Sequence, residues 1–279
     1  MKRTTVILFP LLSFGGVILI WQIVVKVGLF QELVMPAPWS VAKTFYRFFV
    51  DGEFFIHLWA SFARIITGFF FGAFFGVILG ILVGHFRLIE GLLDPLIQAL
   101  RPIPIAAWLP LAIVWFGIGD KPGIFLIVIG TFFPIFINTV HGVKFTQLIL
   151  IRAAQMLGAT PWRLLLYVIL PAALPNIMTG IRIGLGLAWV CVVISELLGV
   201  TAGLGFIIWD AQVYLQTDKV IVGMIVIGGM GTLTDRILLY ISSKLLKGYI
   251  GKQDQLERSH KGFWGRNGCL GAALYGGVA

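Results

Sequence analysis

Residues 152–171 read RAAQMLGATPWRLLLYVILP, and this stretch decides the fold because it is too polar to span a membrane yet too patterned to be a linker. Strong helix formers lead to Gly158, which is placed to end a first helix. Thr160 and Pro161 then form a good N-cap and first-turn pair for a second helix. That helix is predicted to end before Pro171, since the residue preceding a proline is biased away from helical geometry. The stretch therefore predicts a helical hairpin outside the bilayer.

The predicted hairpin carries more apolar side chains than a loop in water requires. They are Ala153, Ala154, Met156, Leu157, Trp162, Leu164 and Leu165. An apolar surface on the water side of a membrane is typical of a docking site for a partner. An ordinary cytoplasmic loop is the alternative interpretation.

The composition is that of an integral membrane protein. Of 279 residues, 59% are hydrophobic and 12% are charged, and the mean hydropathy is +0.98, whereas soluble domains have about 25% charged residues. The net charge of +9 lies largely beside apolar runs, where Lys and Arg fix topology, so nucleic-acid binding is not expected. Cys191 and Cys269 have neither a disulfide pattern nor metal-ligand spacing, so no metal site is expected.

The apolar runs predict an all-α protein with about six transmembrane helices, because about 20 helical residues cross a bilayer core. The predicted spans cover residues 6–27, 61–84, 102–119, 123–142, 175–198 and 220–243. The first run is too long for a signal peptide, so we interpret it as a retained span. An amphipathic helix at the membrane surface is predicted for residues 41–49, with Trp39 and Tyr46 suited to the interface.

The distribution of basic residues predicts that both termini and the hairpin lie in the cytoplasm. The predicted inner side holds 14 Lys and Arg residues. They are the seven from Arg236 onward together with Lys2, Arg3, Arg87, Arg101, Lys144, Arg152 and Arg163. The predicted outer side holds about six: Lys26, Lys43, Arg47, Arg64, Lys121 and Lys219. We divide the chain into a first span with its surface helix (1–58), a core of five spans with the hairpin (59–250) and a disordered cytoplasmic tail (251–279).

The spacing within the hairpin resembles the EAA motif of the membrane subunits of bacterial ATP-binding-cassette (ABC) importers. Arg-Ala-Ala is followed after three residues by Gly158, and nine residues later by Val168 and then Leu170–Pro171. In that family the motif forms a coupling helix seated in a cleft of the cytoplasmic ATPase. The resemblance implies that the coupling residues are Arg152, Ala153, Ala154, Leu157, Gly158, Ala159, Trp162, Arg163 and Pro171. Arg152 stands where the family usually has an acidic residue, so no salt bridge to the ATPase is expected from it.

A ladder of glycines in the second predicted span indicates close helix packing. Gly68, Gly72, Gly76, Gly80 and Gly84 recur at every fourth position, which allows another helix backbone to approach. Spacing alone leaves open whether that helix belongs to the same chain or to a dimer partner; we favour the same chain.

Ionisable residues within the spans are functional candidates. Arg182 and Glu196 are about 21 Å apart along a helix and cannot pair with each other. Arg64 is placed to pair with Glu196 or to attract an anion. Snorkelling of Arg182 and Glu196 toward opposite surfaces is the alternative.

The third predicted span, residues 102–119, lies in the segment 100–119, which reads LRPIPIAAWLPLAIVWFGIG. Its prolines remove backbone donors, which a bilayer tolerates where protein or a water-filled cavity satisfies the freed carbonyls. The segment resembles the nitrate/sulfonate/bicarbonate branch of the importer permeases, and a kinked packing helix is the alternative. Candidate residues of the translocation pathway are Arg64, Pro102, Pro104, Trp108, Pro110, Arg182, Trp189 and Glu196.

The chain lacks a Gly-rich loop ending in Gly-Lys-Ser/Thr, so it is not expected to hydrolyse ATP by the P-loop mechanism. The resemblance implies a type I importer permease in a bacterial inner membrane, working as a homodimer with two ATPase subunits that bind ATP and Mg. It also implies a periplasmic or lipid-anchored binding protein, and no cofactor in this chain. We expect nitrate or nitrite as substrate first, bicarbonate second and a sulfonate or taurine third. An ion channel or secondary carrier is the rival class.

Overall fold

The computed structural model describes residues 3–197 and 199–272, with side chains for residues 12–197 and 199–244. All regular structure in these ranges is helical, as the sequence predicts. The helices are α1 (Arg3–Lys26), α2 (Pro38–Val50), α3 (Glu53–His85), α4 (Arg87–Leu100), a 3₁₀ helix (Ile105–Trp108), α5 (Leu109–Phe116), α6 (Asp120–Lys144), α7 (Leu148–Met156), α8 (Pro161–Leu164), a π-helical turn (Leu165–Ile169), α9 (Leu170–Glu196), α10 (Leu204–Val213) and α11 (Thr217–Ala272).

Four helices of the described chain are long and apolar enough to cross a membrane. They are Glu53–His85, Asp120–Lys144, Pro161–Glu196 and Thr217–Lys244, which correspond to the second, fourth, fifth and sixth predicted spans. A bent helix pair adds a fifth candidate, and Leu12–Lys26 is a shorter apolar helix. The predicted number of six spans stays a prediction.

The third predicted span differs from the structure. Within residues 102–119 only Ile105–Phe116 is helical, which is too short to cross a bilayer alone, and this helix meets α4, which ends at Leu100, at a bend of 93°. Pro102 and Pro104 explain the break, since each lacks the backbone N–H that would continue the helical hydrogen bonds. Pro110 is tolerated because it lies at the start of α5, where its missing donor has no intrahelical partner.

The predicted end of a helix before Pro171 is wrong. Residues 161–196 form one continuous helical segment, in which the π-helical turn Leu165–Ile169 leads directly into α9. Pro171 stands at the start of α9, immediately after that wider turn. A π-helical turn changes the hydrogen-bond register of a helix, and this lets the proline ring follow without a break. The hairpin and the fifth span therefore share one helix.

The core of the bundle is α6, which packs along both α3 and α9. The glycine ladder of α3 faces α6, as favoured from the sequence. A Cβ atom added at Gly72 would lie 1.9 Å from Thr131 Oγ1, and one at Gly80 would lie 2.6 Å from Thr139 Cβ. On the opposite side of α6, Gly180 of α9 allows a similar approach to Asn138. Close packing of this kind is a main source of helix association in lipid.

The surface helix α2 extends slightly beyond its predicted bounds, because Pro38 is favourable in a first helical turn. Val41 and Phe48 are buried against the bundle, while Trp39 and Tyr46 are exposed. Such a division of faces is typical of a helix at the membrane interface.

The chain forms two compact units, Met1–Thr234 and Asp235–Ala279. In the second unit, α11 continues to Ala272, although the sequence pattern favours disorder from residue 251. Residues 252–258, KQDQLER, are mostly strong helix formers, which explains the difference. Residues 273–279 of the predicted tail lie outside the described residues, and the predicted domain bounds at 58 and 250 stay predictions.

Candidate functional site

The predicted hairpin is present, and Gly158 ends its first helix. Gly158 adopts a left-handed conformation with φ of +78°. Its N–H donates to the carbonyl of Gln155 at 3.0 Å, and the N–H of Ala159 donates to the carbonyl of Ala154 at 3.0 Å. These two bonds form a Schellman motif, which satisfies the last carbonyls of α7 and reverses the chain. Thr160 and Pro161 then begin α8.

The tip of the hairpin exposes large apolar side chains. The exposed fraction is 90% for Met156, 88% for Leu157 and 67% for Trp162. Leu164, Leu165 and the neighbouring Ile169 point the other way and are buried against the bundle. The hairpin is therefore anchored on one face and presents an apolar tip on the other.

The predicted coupling residues divide between these two faces. Exposed residues are Arg152, Ala153, Leu157, Gly158, Trp162 and Arg163, whereas Ala154, Ala159 and Pro171 are half-buried. The exposed set includes both arginines, so the tip combines apolar contact area with positive charge.

A buried ionic network lies at the opposite end of the helical segment that begins in the hairpin. The Glu196 carboxylate contacts Arg64 Nη1 at 2.6 Å, and the two side chains are 0% and 8% exposed. Arg64 Nη2 also lies 2.6 Å from Asp120 Oδ1, and Arg64 Nη1 donates to the carbonyl of Ala202 at 2.7 Å. Ser61 Oγ donates to the Glu196 carboxylate at 2.8 Å. One guanidinium thus joins α3, α6, α9 and the loop before α10.

Backbone N–H groups at the start of α10 complete the network. Gly205 N–H donates to Glu196 at 2.8 Å, Leu204 N–H donates to Ser61 Oγ at 2.8 Å, and Gly203 N–H donates to His57 Nδ1 at 3.1 Å. A Cβ atom added at Gly203 would lie 2.3 Å from the Glu196 carboxyl carbon, and the backbone of Gly203 has a φ of +148°. Glycine is therefore required at this position, and Glu196 occupies the place of an anion at a helix N-terminus.

The network changes the interpretation of Arg64. Its guanidinium is buried and contacts two carboxylates, so its charge is compensated within the protein, as in the pairing alternative. Sequence reasoning included the pairing with Glu196 but missed Asp120 and Ser61. Ser61 lies three residues before Arg64 on the same helix face, which is a signal available from the sequence. Asp120 has no comparable signal.

The other pathway candidates do not converge on one site. Pro102, Pro104 and Pro110 are exposed on the bent segment, and Arg182 is exposed on α9. Trp189 is buried, and its Nε1 donates to Thr234 Oγ1 at 3.0 Å, which identifies it as a packing contact between α9 and α11.

Trp108 differs from the other candidates because its buried Nε1 has no hydrogen-bond partner in the described part of the chain. Its ring lies edge-on to Phe125 with centroids 6.4 Å apart. The residues described also contain no group of three or more His, Cys, Asp or Glu arranged to hold a metal ion.

The chain matches a family of membrane transport components and is similar to known permeases. The family model described as "Binding-protein-dependent transport system inner membrane component" matches residues 72–247. The chain is 41% identical over 231 residues to a putative aliphatic sulfonates transport permease protein of Bacillus subtilis, with 83% of this chain and 84% of that protein covered. It is 39% identical over 213 residues to a taurine transport system permease protein of Escherichia coli, with 75% and 78% covered.

The chain is also similar to a bicarbonate permease and, in its fold, to a solved importer structure. The chain is 34% identical over 256 residues to a bicarbonate transport system permease protein of Synechocystis, with 88% and 91% covered. It is also similar to the inward-facing MetNI methionine ABC transporter, with a TM-score of 0.51 and 22% identity, covering 64% of this chain and 93% of that chain. The last similarity shows a type I importer permease fold.

Proposed function

The chain belongs to the family of binding-protein-dependent inner membrane transport components, and on that premise we propose that it forms the pathway for a small sulfonate or related oxyanion in an ATP-driven importer. The observation that carries the proposal is the apolar tip of the hairpin, which has the EAA spacing and leads directly into a spanning helix. The sequence has no Gly-rich loop ending in Gly-Lys-Ser/Thr, and in the proposed importer the energy comes from partner ATPase subunits.

We propose that the hairpin docks in a cleft of a cytoplasmic ATPase subunit. Met156, Leu157 and Trp162 supply the contact area, and Trp is one of the residue types that most often dominate binding energy at protein interfaces. This orientation puts the hairpin and both termini in the cytoplasm, in agreement with the distribution of Lys and Arg. Glu196 and α10 then lie on the outer side.

The proposed assembly contains two copies of this chain, two ATPase subunits and an outer binding protein that delivers the substrate. ATP and Mg bind to the ATPase subunits. Closure of the ATPases on ATP moves both hairpins, and the continuous segment from Pro161 to Glu196 carries that movement into the bundle. The pathway then alternates between inward-facing and outward-facing states through a rigid-body change.

The names of the relatives support a sulfonate ahead of the other anions. The aliphatic sulfonate and taurine permeases are 41% and 39% identical to this chain, and the bicarbonate permease is 34% identical. Bicarbonate is therefore the second candidate. Nitrate, which the sequence interpretation placed first, has no support from these relatives.

The test is ATP hydrolysis and uptake in proteoliposomes that hold this chain with its ATPase subunits. Taurine, a linear alkanesulfonate, bicarbonate and nitrate are each supplied on a candidate binding protein. We expect a loaded sulfonate-binding protein to stimulate hydrolysis severalfold and to drive uptake, while the unloaded protein does so weakly. Transport by the chain alone, without ATP or ATPase subunits, would support the channel or carrier class instead.

A further inference from the structure

The ionic network and the hairpin lie at the two ends of one helical segment. Residues 161–196 span about 54 Å at 1.5 Å per residue. All prolines in this segment fall within its first half, at positions 161, 171 and 175. The stretch from Asn176 to Glu196 is a regular helix packed on α6. A displacement of the hairpin therefore reaches Glu196 along one continuous helical segment, whose part from Asn176 onward is free of prolines and of the π-helical turn.

The position of α10 relative to this helix depends on the network more than on the chain connection. The connection contains Gly199 and Gly203, which both have positive φ and add conformational freedom. The carboxylate of Glu196 instead holds the first turn of α10 directly, through Gly205 N–H, and indirectly through Ser61, whose hydroxyl also accepts from Leu204 N–H. These bonds fix the N-terminus of α10 to both α3 and α9.

The outer side of this assembly is accessible. A cavity of about 330 Å³ lies beside α10, and its lining includes His57, Thr201 and Asp210. His57 lines the cavity and also accepts the hydrogen bond from Gly203 N–H. On α10 itself, Trp209 and Val213 are exposed. A protein that approaches from this side meets α10 and the loop before it. The first residues of α10 are hydrogen-bonded to the buried network.

We infer that Ser61 and Glu196 are positioning residues, which fix α10 to the outer end of the helix that carries the hairpin. When the loaded binding protein contacts α10, this connection transmits the contact to the hairpin and so to the ATPase subunits. The inference rests on the proposed function and adds the residues through which the outer and cytoplasmic sides communicate. Arg64 supplies the counter-charge of the Glu196 carboxylate in a buried place.

The test compares two serine substitutions in the reconstituted importer. Ser61→Ala removes the hydroxyl that joins Glu196 to Leu204 and leaves the ion pair in place. Ser195→Ala is the matched control, because Ser195 is equally buried and adjacent to Glu196, but its hydroxyl donates at 2.8 Å to Val192 within its own helix. The readouts are recovery of the intact complex, basal ATP hydrolysis, and hydrolysis stimulated by the loaded binding protein.

We expect Ser61→Ala to lower stimulation at least about fivefold, because the hydroxyl's hydrogen bonds to Glu196 and Leu204 are both lost, with basal hydrolysis and complex recovery equal to those of Ser195→Ala. Glu196→Gln should lower stimulation further. Full stimulation in Ser61→Ala would overturn the inference, and so would failure of that variant alone to assemble, since that would assign Ser61 to folding. Absence of stimulation in the wild-type complex contradicts the proposed function itself, so the two failures are distinguishable.

Discussion

Arg64 shows how the surroundings of a residue decide its role. A lone arginine near the outer end of a span is a reasonable anion attractor on sequence grounds. In the structure its guanidinium contacts Glu196 and Asp120, and it also donates to the Ala202 carbonyl. The donors are occupied and the charge is compensated, so Arg64 belongs to the scaffold. For Arg182, which is exposed on α9, the pathway role stays a prediction.

Replacing Arg64 is therefore expected to impair stability before transport. Arg64→Gln leaves the buried Glu196 carboxylate without its counter-charge, and breaking a buried ion pair costs about 3–5 kcal/mol. The melting temperature of the purified chain in detergent should fall clearly, whereas Lys121→Gln, on an exposed neighbour of Asp120, should leave it unchanged. An Arg64→Gln protein that melts like the wild type and only transports more slowly would restore the anion-attracting role.

The residues of the network could be predicted only in part from the sequence. The pairing of Arg64 with Glu196 was foreseeable because both are ionisable and lie near the same end of their spans. Asp120 is separated from Arg64 by 56 residues and is the first residue of α6. Its role depends on how α6 packs against α3, which is a property of the tertiary structure.

At the scale of elements, the glycine ladder predicts that a helix packs closely but not which one. The structure identifies α6 as the partner, where Thr131 and Thr139 fill the space above Gly72 and Gly80. Their hydroxyls donate to carbonyls of their own helix, those of Ile127 and Ile135. Polar atoms at this contact are thereby satisfied, and the two backbones can approach without a desolvation cost.

The contact predicts a position-specific effect of one methyl group. Gly72→Ala places Cβ 1.9 Å from Thr131 Oγ1, so the helices must separate, and overpacking of this kind costs about 1–3 kcal/mol. Gly186→Ala is the control, because a Cβ atom at that helical position meets nothing within 4 Å. Thermal unfolding in detergent should show a lower melting temperature for the first variant alone. Equal melting of the two variants would place the ladder in a looser contact than the one described.

Two elements depart from the sequence prediction because proline has different effects at different helix positions. In residues 100–104, Pro102 and Pro104, with one residue between them, break the helix, and the chain bends by 93°. At Pro171 the helix continues, because a π-helical turn precedes the proline. Hydropathy alone favours a span in both places. The helix α4 was missed since, at 14 residues, it is too short to be recognised as a span.

At the scale of the whole molecule, the sequence was sufficient for the fold class and the family. High hydropathy, the hairpin motif and the glycine ladder all agree with a permease, and agreement across these levels is what makes the fold predictable. The substrate was not predictable in the same way. The described pathway candidates include no converging set of polar side chains that would select one anion, and the order of candidates therefore rests on relatives.

The central claim is that the hairpin tip contacts the ATPase, and a cross-link tests it most directly. In a chain with Cys269→Ser, leaving buried Cys191, a cysteine is introduced at Leu157, or at Trp39 as a control, with both sites highly exposed. A thiol-to-amine cross-linker is then applied to the purified complex. We predict a product of permease and ATPase from Leu157→Cys, which is absent when the ATPase subunits are removed, and none from Trp39→Cys. Cross-linking to the ATPase from Trp39→Cys but not from Leu157→Cys would contradict the account.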